Sequence, residues 1–260
     1  METEFLTVDY EDNIVLIGLN RPEKRNAISD RVIASIDKTI EQVIKKAKVG
    51  IVYGHGEHFS AGLDLSELSH KTHFENIQGS HAWHAAFNKI QRGGIPFVSA
   101  LHGAVVGGGL ELAAATHIRV ADETAFFALP EGQRGIFVGG GGSVRIARLM
   151  SEARMTDLML TGRVLNAHEG ERFNLAQYLV PEGQALIKAK ELAIRIASHA
   201  PLSNYAVTNM LPRIQDMGHD NGMFVESLAA AFAASSPEAQ ERLEAFLAKR
   251  AEPLRQPTQS

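Results

Sequence analysis

The sequence predicts an α/β fold, because short strands rich in β-forming residues alternate with amphipathic helices over most of its length. The order of strand, glycine-containing loop and helix recurs, as it does in chains that wind into a spiral. After about residue 181 the pattern is entirely helical. We therefore predict a spiral core that carries the functional site over residues 1–200, and a helical oligomerisation region over residues 201–260.

The first predicted elements are two strands within residues 5–19, joined at residues 11–13, and a helix that begins after Ser29. Serine is a favourable N-cap. We expect Gly50 to end this helix, because glycine commonly follows the last helical turn. The apolar residues between the two recur at helical spacing: Val32, Ile33, Ile36, Ile40, Val43 and Ile44.

Two further strands, over residues 50–53 and 96–101, each lead to a glycine-containing loop, and a helix over about 74–91 separates them. Beyond them, residues 117–121 read as a strand, and residues 122–129 read as a turn followed by a returning strand. This alternation indicates repeated units of strands and a helix.

Composition excludes several classes of protein. A net charge of -4 over 260 residues gives no basic surface for nucleic acid or for an anionic membrane. The absence of cysteine excludes disulfides and thiolate metal sites and suits a reducing compartment. No segment reaches the roughly 18 to 20 apolar residues of a membrane helix, and the acidic amino terminus is unlike a targeting peptide. We expect a cytoplasmic protein.

Gly107, Gly108 and Gly109 directly precede an alanine-rich helix. The backbone N–H groups of a first helical turn lack intrahelical acceptors, and the helix dipole adds positive charge, so this segment suits a developing oxyanion. The glycines could instead serve close packing alone. Neither the dinucleotide-binding pattern G-x-G-x-x-G nor the phosphate loop G-x-x-x-x-G-K occurs in the sequence.

Two glutamates follow these glycines. Glu111 lies in the first turn of the predicted helix, and Glu131 lies beyond the next predicted strands. On one continuous helix they would lie about 30 Å apart and could not cooperate. An out-and-back path through the predicted turn at 122–124 can bring both into one pocket. Apolar neighbours there would raise their pKa values toward a range useful for proton transfer. The alternative role of Glu111 is helix capping.

Other residue patterns add little. The loop over residues 54–64 follows a strand and precedes a helix, so it can supply a second oxyanion donor. The eleven histidines include His81 and His84 at helical spacing, yet no H-E-x-x-H pattern occurs, and we predict no metal site. A serine nucleophile elbow, G-x-S-x-G, is also absent.

Five segments together resemble the crotonase (enoyl-CoA hydratase/isomerase) family over most of the chain. They are NRPEKRNAIS at 20–29, HFSAGLDL at 58–65, GAVVGGGLELA at 103–113, ALPEGQRGIFVGGGGSVRIARLM at 128–150 and AFLAKRAEP at 245–253. The resemblance implies a spiral of ββα units with a carboxy-terminal helical trimerisation region. It also implies acyl-CoA substrates and a homo-oligomer, either a trimer or a dimer of trimers.

By position in these motifs, the N–H groups of Leu63 and Gly108 would form the oxyanion hole, and Glu111 and Glu131 match the two hydratase glutamates. The resemblance therefore implies syn addition of water to a trans-2-enoyl-CoA, with the enolate stabilised by the two N–H groups. It implies no prosthetic group, since coenzyme A arrives as part of the substrate. The residues that match coenzyme A contacts are Lys24, Ala27, Ala61, Phe246 and Lys249, the last two from a neighbouring subunit.

Two departures from the family pattern occur: His58 replaces a common basic residue, and Val138 replaces a common proline. The helix over about 74–91, which carries Trp83, either borders the acyl pocket or contributes an ordinary core stripe. The alternatives to hydration are enoyl-CoA isomerisation and hydratase-lyase action on an aryl- or heteroatom-substituted acryloyl-CoA. A noncatalytic CoA-binding protein of the same fold is a further alternative, which the two glutamates disfavour.

Overall fold

The computed structural model describes residues 4–64, 66 and 71–248. The chain divides into two compact units between Ala197 and Ser198. In the first unit the strands are β1 (Leu6–Glu11), β2 (Ile14–Leu19), β3 (Val49–Gly54), β4 (Phe97–Leu101), β5 (Ala104–Val106), β6 (Ile118–Asp122), β7 (Phe126–Ala128), β8 (Leu165–Asn166) and β9 (Tyr178–Val180). Its helices are α1 (Asp30–Val43), α2 (His73–Arg92), α3 (Gly108–Ala115), α4 (Gly142–Met150), α5 (Glu152–Thr161), α6 (Ala167–Arg172) and α7 (Ala185–Ala197).

Two sheets organise the first unit. The larger has six strands in the order β1-β2-β3-β4-β6-β9, with only the β1–β2 pair antiparallel. The smaller has the order β5-β7-β8, in which β5 and β7 run parallel. The chain passes from β4 in the large sheet to β5 in the small sheet and then into α3. Since β6 and β7 repeat this passage, the units have the ββα form that the resemblance to the crotonase family implies.

The core lies on both faces of the large sheet. Strand β2 is buried at every position, as expected for a strand covered on both sides. On one face, α7 packs across β3, β4 and β6 through small residues such as Ala189 and Ala193. On the other face, the larger hydrophobic cluster joins α1, α2, α3 and the small sheet. The site described below is built on this second face.

Helix α1 begins as predicted, because Ser29 Oγ accepts a hydrogen bond from Val32 N at 3.3 Å. The prediction that Gly50 ends this helix is wrong: α1 ends at Val43, and Gly50 lies inside β3. A Cβ atom on Gly50 would overlap the ring of Phe97 on the neighbouring strand. Glycine is therefore needed there for close strand packing.

The strand, turn and returning strand predicted over residues 117–129 are present, but the two strands do not pair with each other. Strands β6 and β7 are present, but β6 pairs with β4 and β9, whereas β7 pairs with β5 and β8 in the other sheet. Asp122 does form a local turn, since its Oδ1 accepts from Thr124 N at 3.0 Å. The turn transfers the chain between sheets instead of reversing it within one.

The second unit is helical, as predicted. It contains α8 (Pro201–Tyr205), a π-helical segment (Ala206–Met210), α9 (Leu211–Ile214), α10 (His219–Ala234) and α11 (Pro237–Leu247). Ser236 caps α11 by accepting from Ala239 N at 3.1 Å, with Pro237 in the first turn. Its helices expose apolar side chains that include Phe224, Leu228, Leu243 and Phe246. A role for this unit in oligomerisation stays a prediction.

No helix in the described part of the chain has the length and apolar character that a membrane crossing requires.

Candidate active site

The first unit contains a cavity of about 330 Å³ at the carboxyl ends of β5 and β7. One wall is a stripe of α2 made by Asn76, Gly79, Ser80 and Trp83, which follow one another at helical spacing. The residues of chemical interest that line the cavity are Ala61, Leu63, Gly107, Gly108, Glu111 and Glu131.

Parallel pairing of β5 with β7 brings the two glutamates together. Each follows the carboxyl end of its strand, and neighbouring parallel strands end at the same edge of a sheet. Gly107 N donates to Ala128 O at 2.9 Å and continues the ladder past the strand ends. The two carboxylates therefore enter one cavity although 20 residues separate them in the sequence.

Glu111 is 3% exposed and lies in the first turn of α3. Its Oε1 accepts from Gly140 N and from Gly142 N, both at 2.8 Å. Burial raises the pKa of Glu111, while these N–H donors act in the opposite direction. A carboxylate held by two backbone donors keeps a fixed orientation, with its other oxygen left to act.

Glu131 is 7% exposed and differs from Glu111 in its bonding. Its buried Oε2 meets no hydrogen-bond partner within the described residues. Burial is the main cause that raises the pKa of Glu131 to about 7, and the negative charge of Glu111 acts in the same direction. A protonated Glu131 is therefore well populated at neutral pH, because a carboxyl in an apolar site disfavours its charged form.

Two backbone N–H groups lie near each other at the same cavity. In the bridge between Ile28 and Leu63, the bonds run from Ile28 N to Gly62 O and from Asp64 N to Ile28 O, at 2.8 and 2.9 Å. The N–H of Leu63 takes no part in that bridge. Gly108 is the first residue of α3, where an N–H has no intrahelical acceptor. A Cβ atom on Gly108 would lie 3.4 Å from Leu63 N, which shows how close the two segments come.

Glycine is required where these segments approach each other. Gly62 has φ +90°, and a Cβ there would lie 2.5 Å from Val106 O and 3.1 Å from Gly108 N. A Cβ on Gly108 would lie 2.7 Å from the ring of Trp83. Larger residues would force the loop and the helix apart, so the glycines set the spacing between the two N–H groups.

The sequence profile of the enoyl-CoA hydratase/isomerase family matches residues 9–257. The chain belongs to this family. It is 29% identical over 249 residues to the enoyl-CoA hydratase EchA19 of Mycobacterium tuberculosis, covering 94% of each protein. It is also 29% identical over 251 residues to the 2,3-dehydroadipyl-CoA hydratase of Escherichia coli, covering 94% of this chain and 96% of that protein.

A solved structure extends this likeness to the fold. A Rhodopseudomonas palustris protein, provisionally assigned as an enoyl-CoA hydratase, superimposes with a TM-score of 0.92 at 49% identity and covers 95% of both chains. The resemblance to the crotonase family and the predicted fold are both confirmed. The protein is accordingly an enzyme of a family that acts on acyl-CoA thioesters.

Of the residues that match coenzyme A contacts of the family, Ala61 lines the cavity. Lys24 and Ala27 do not line the cavity, and their segment contacts residues 61–64, where Ala61 N donates to Arg25 O at 2.9 Å. Lys24 Nζ lies 3.9 Å from Asp64 Oδ2, and Ala27 O accepts from Arg21 Nη1 at 2.8 Å. Phe246 lies in α11 of the second unit and is 68% exposed. Lys249 lies outside the described residues.

His58, one of the departures from the family pattern, has a structural contact. Its Nδ1 accepts from Ala104 N at 3.2 Å, which ties the loop to the start of β5. No group of three or more His, Asp or Glu side chains in the described residues is arranged to hold a metal ion.

The glycine-rich turn over residues 139–142 is a part of the site whose role the sequence did not reveal. It supplies both N–H donors to Glu111, and Gly141 adopts φ +95° within it. A Cβ on Gly142 would lie 2.8 Å from Glu111 Oε1, so a side chain there would displace the carboxylate. The run of glycines at 139–142, shortly after Glu131, was the feature of the sequence that could have indicated this role.

The aromatic residues of α2 divide between the site and the core. Trp83 lines the cavity, whereas Phe87 is fully buried behind it, with ring centroids 5.5 Å apart. Phe74 and Ile77 are exposed, at 66% and 53%. Phe87 thus fits the core interpretation of this helix, while a place for Trp83 at the acyl pocket stays a prediction.

Proposed function

We propose that this protein is an enoyl-CoA hydratase that adds water to the double bond of a trans-2-enoyl-CoA. The observation that carries the proposal is that one cavity holds two buried carboxylates beside two backbone N–H groups. An isomerase of this family can work with one carboxylate, so the presence of both favours hydration. Coenzyme A enters as part of the substrate, and no prosthetic group takes part.

In this mechanism the thioester oxygen accepts hydrogen bonds from the N–H groups of Leu63 and Gly108. Nucleophilic attack at the β-carbon moves electron density onto that oxygen and gives an enolate-like anion. The dipole of α3 and the two donors stabilise the developing charge, and loss of one such donor typically lowers the rate about 100- to 1000-fold.

The two carboxylates then handle the protons. Glu111, held by two N–H donors, orients the water and accepts a proton as the water oxygen bonds to the β-carbon. Glu131, whose pKa of about 7 leaves it partly protonated at neutral pH, gives its proton to the α-carbon. Transfer of the proton from Glu111 back to Glu131 restores the pair after product leaves. Since both act from one side, addition is syn.

The test is hydration of crotonyl-CoA, followed by loss of the enoyl-thioester absorbance in the wild type, Glu111→Gln and Glu131→Gln. Each variant keeps the shape of the side chain and removes its acid or base, so we expect a fall in kcat of about 100-fold or more. Glu123→Gln, at an exposed turn, is the matched control and should retain wild-type activity.

Mass analysis of products from a panel of acyl-CoA substrates separates the competing reactions, because hydration, isomerisation and chain cleavage change the mass differently. Absence of turnover on 2-enoyl-CoA substrates of every chain length would refute the hydratase proposal. A product of unchanged mass would favour isomerisation, and cleavage products would favour a hydratase-lyase.

Coenzyme A binding and assembly complete the proposal. Lys24, Ala27 and Ala61 would hold the cofactor portion of the substrate, with Phe246 and Lys249 contributed by a neighbouring subunit of a cytoplasmic trimer or dimer of trimers. Lys24→Ala should raise KM more than it lowers kcat, because a contact remote from the reacting carbons contributes to binding. Sedimentation equilibrium tests the assembly, and a monomer would contradict it.

A further inference from the structure

Arg145, in α4, is a buried cation behind the glycine turn. It is 8% exposed, and its guanidinium donates three hydrogen bonds to neutral oxygens. Nη1 donates to Gly140 O at 2.8 Å, Nε to Gln91 Oε1 at 2.8 Å and Nη2 to Asn88 Oδ1 at 2.7 Å. The planar fork therefore ties the turn to α2 in one fixed geometry.

The turn that Arg145 holds is the one that orients Glu111. Gly140 donates its N–H to Glu111 Oε1, while its carbonyl accepts from Arg145. A second tie lies next to it: Ser80 Oγ donates to Gly139 O at 2.5 Å, and that carbonyl shares a peptide group with the Gly140 N–H. The orientation of Glu111 therefore depends on the hydrogen bonds that hold the carbonyl groups of Gly139 and Gly140, on either side of the Gly140 N–H.

The charge of Arg145 also acts on this carboxylate. No described carboxylate lies within ion-pair distance of Arg145. At longer range, the positive charge of Arg145 attracts the Glu111 carboxylate and so opposes the rise that burial causes in the pKa of Glu111. The other charged or titratable groups that face Arg145 are on α2: Arg92, and His84, whose pKa is lowered by burial and by Arg145. Glu131 lines the same cavity, and the negative charge of Glu111 adds to burial in raising the pKa of Glu131.

We propose that Arg145 is a positioning residue of this site, which holds turn 139–142 on Glu111 and keeps that carboxylate ionised while Glu131 carries the proton. Arg145 thus acts together with the N–H groups of Gly140 and Gly142, which also favour the ionised form of Glu111. The inference rests on the proposed hydratase function, since it concerns the division of acid and base between the two glutamates.

The experiment compares pH profiles of kcat/KM for crotonyl-CoA hydration in the wild type, Arg145→Gln and Arg145→Lys. Arg145→Gln removes the charge, so its acid limb should move to higher pH by about 1, with kcat lowered roughly 10- to 100-fold by misplacement of Glu111. Arg145→Lys keeps the charge without the fork, so its acid limb should stay near the wild-type position while kcat falls.

Arg148→Gln, at an exposed position of the same helix, removes an equal charge and should leave both quantities unchanged. Wild-type kcat and acid limbs in both Arg145 variants would overturn the inference and leave Arg145 a packing residue. Should Arg145→Gln fail to fold, Ser80→Ala tests the same turn with the charge in place. It should lower kcat without moving the acid limb, and unchanged kcat in Ser80→Ala would count against the inference.

Titration of the Glu111 carboxyl by ¹³C NMR, in wild type and Arg145→Gln, gives a readout that needs no turnover. A higher midpoint in the variant supports the inference about Arg145. It does so even if the wild type hydrates no substrate, which is the separate result that would refute the proposed function. An equal midpoint in an active variant overturns the inference alone.

Discussion

Glu131 Oε1 lies 2.9 Å from the point that a Cβ atom on Gly107 would occupy. Gly107 has φ +53° and ψ -122°, a conformation that is open to glycine and strained for other residues. Its N–H bonds to Ala128 O, so it also joins the end of β5 to the end of β7. One glycine therefore sets the backbone geometry before α3 and leaves room for the carboxylate of Glu131.

Gly107→Ala should accordingly lose activity beyond its loss of stability. The strained backbone should cost about 1 to 3 kcal/mol of unfolding free energy, and displacement of the Glu131 carboxylate should lower kcat about 100-fold. Gly183→Ala is the matched control, because Gly183 has φ +75° but no heavy atom within 4 Å of a Cβ. Urea unfolding and crotonyl-CoA hydration measure the two effects. Equal kcat in the two variants would show that Glu131 tolerates the methyl group.

The pKa of about 7 at Glu131 predicts the alkaline limb of the activity profile. If Glu131 is the acid, it must carry a proton, and its protonated fraction falls as pH rises through that value. We expect kcat/KM for crotonyl-CoA to decline about tenfold per pH unit above the limb. Activity that keeps rising well past pH 8 would exclude Glu131 as the proton donor.

The same shift predicts that Glu131→Gln is more stable than the wild type at alkaline pH. The folded-state pKa of Glu131 lies above its unfolded value of 4.5, so its stabilising contribution is complete below pH 4.5 and is lost as pH rises through about 7. At pH 8 the neutral amide should gain of the order of 2 kcal/mol by avoiding the buried charge. Chemical unfolding of both proteins at pH 5 and pH 8 measures this. A difference that does not grow with pH would contradict it.

Local features of the fold were predictable from the sequence because their causes are local. The cap at Ser29 and the apolar spacing after it predicted α1, and the glycines before Glu111 predicted the start of α3. Gly50 shows where this reasoning fails. A glycine gives the same signal as a helix stop or as a close-packed strand residue, and the ring that decides, Phe97, lies 47 residues further along the chain.

The arrangement of the site depended more on distant partners. The turn at Asp122 was recognisable, but which sheet the next strand joins is set by its pairing with β5, which the local sequence does not specify. Likewise, the sequence indicates no role for the glycines at 139–142. Their N–H groups donate to Glu111, which lies about 30 residues earlier in the chain, and only the fold brings the two together. The residues of the pair were identifiable, and the bonds that distinguish them were not.

Gly108→Ala should lose both stability and activity, for two separable reasons. Its Cβ would lie 2.7 Å from Trp83 Cζ3, which predicts overpacking worth about 1 to 3 kcal/mol. It would also lie 3.4 Å from Leu63 N, in the space that a thioester oxygen would need. Adding Trp83→Phe removes the clashing ring atoms, so the double variant should recover thermal stability.

The activity of that double variant decides whether the methyl group obstructs the oxyanion site. We expect kcat for crotonyl-CoA to stay at least about 100-fold below that of Trp83→Phe alone. The single variant Trp83→Phe is the control for loss of the indole. A double variant as active as Trp83→Phe would place the thioester oxygen elsewhere.

His117 predicts a loss of stability in mild acid. Its ring bridges two elements, since Nδ1 accepts from Phe97 N at 2.9 Å and Nε2 bonds with Gln91 O at 3.1 Å. Burial is the main cause that lowers the pKa of His117 from 6.5 to about 4. A protonated ring would also carry a hydrogen on Nδ1, where the Phe97 N–H is already aimed. The folded protein therefore holds this histidine neutral.

Because the folded-state pKa lies below the unfolded value, the folded state binds fewer protons, and stability falls as pH drops from 6.5 toward 4. The loss attributable to His117 should reach about 3 kcal/mol. His117→Gln removes the titration, so its unfolding free energy, although lower at pH 7, should change less over this range. His168→Gln, at an exposed position, should follow the wild type. If urea unfolding of His117→Gln and of the wild type shows the same slope between pH 6.5 and 4.5, the acid sensitivity arises from other groups.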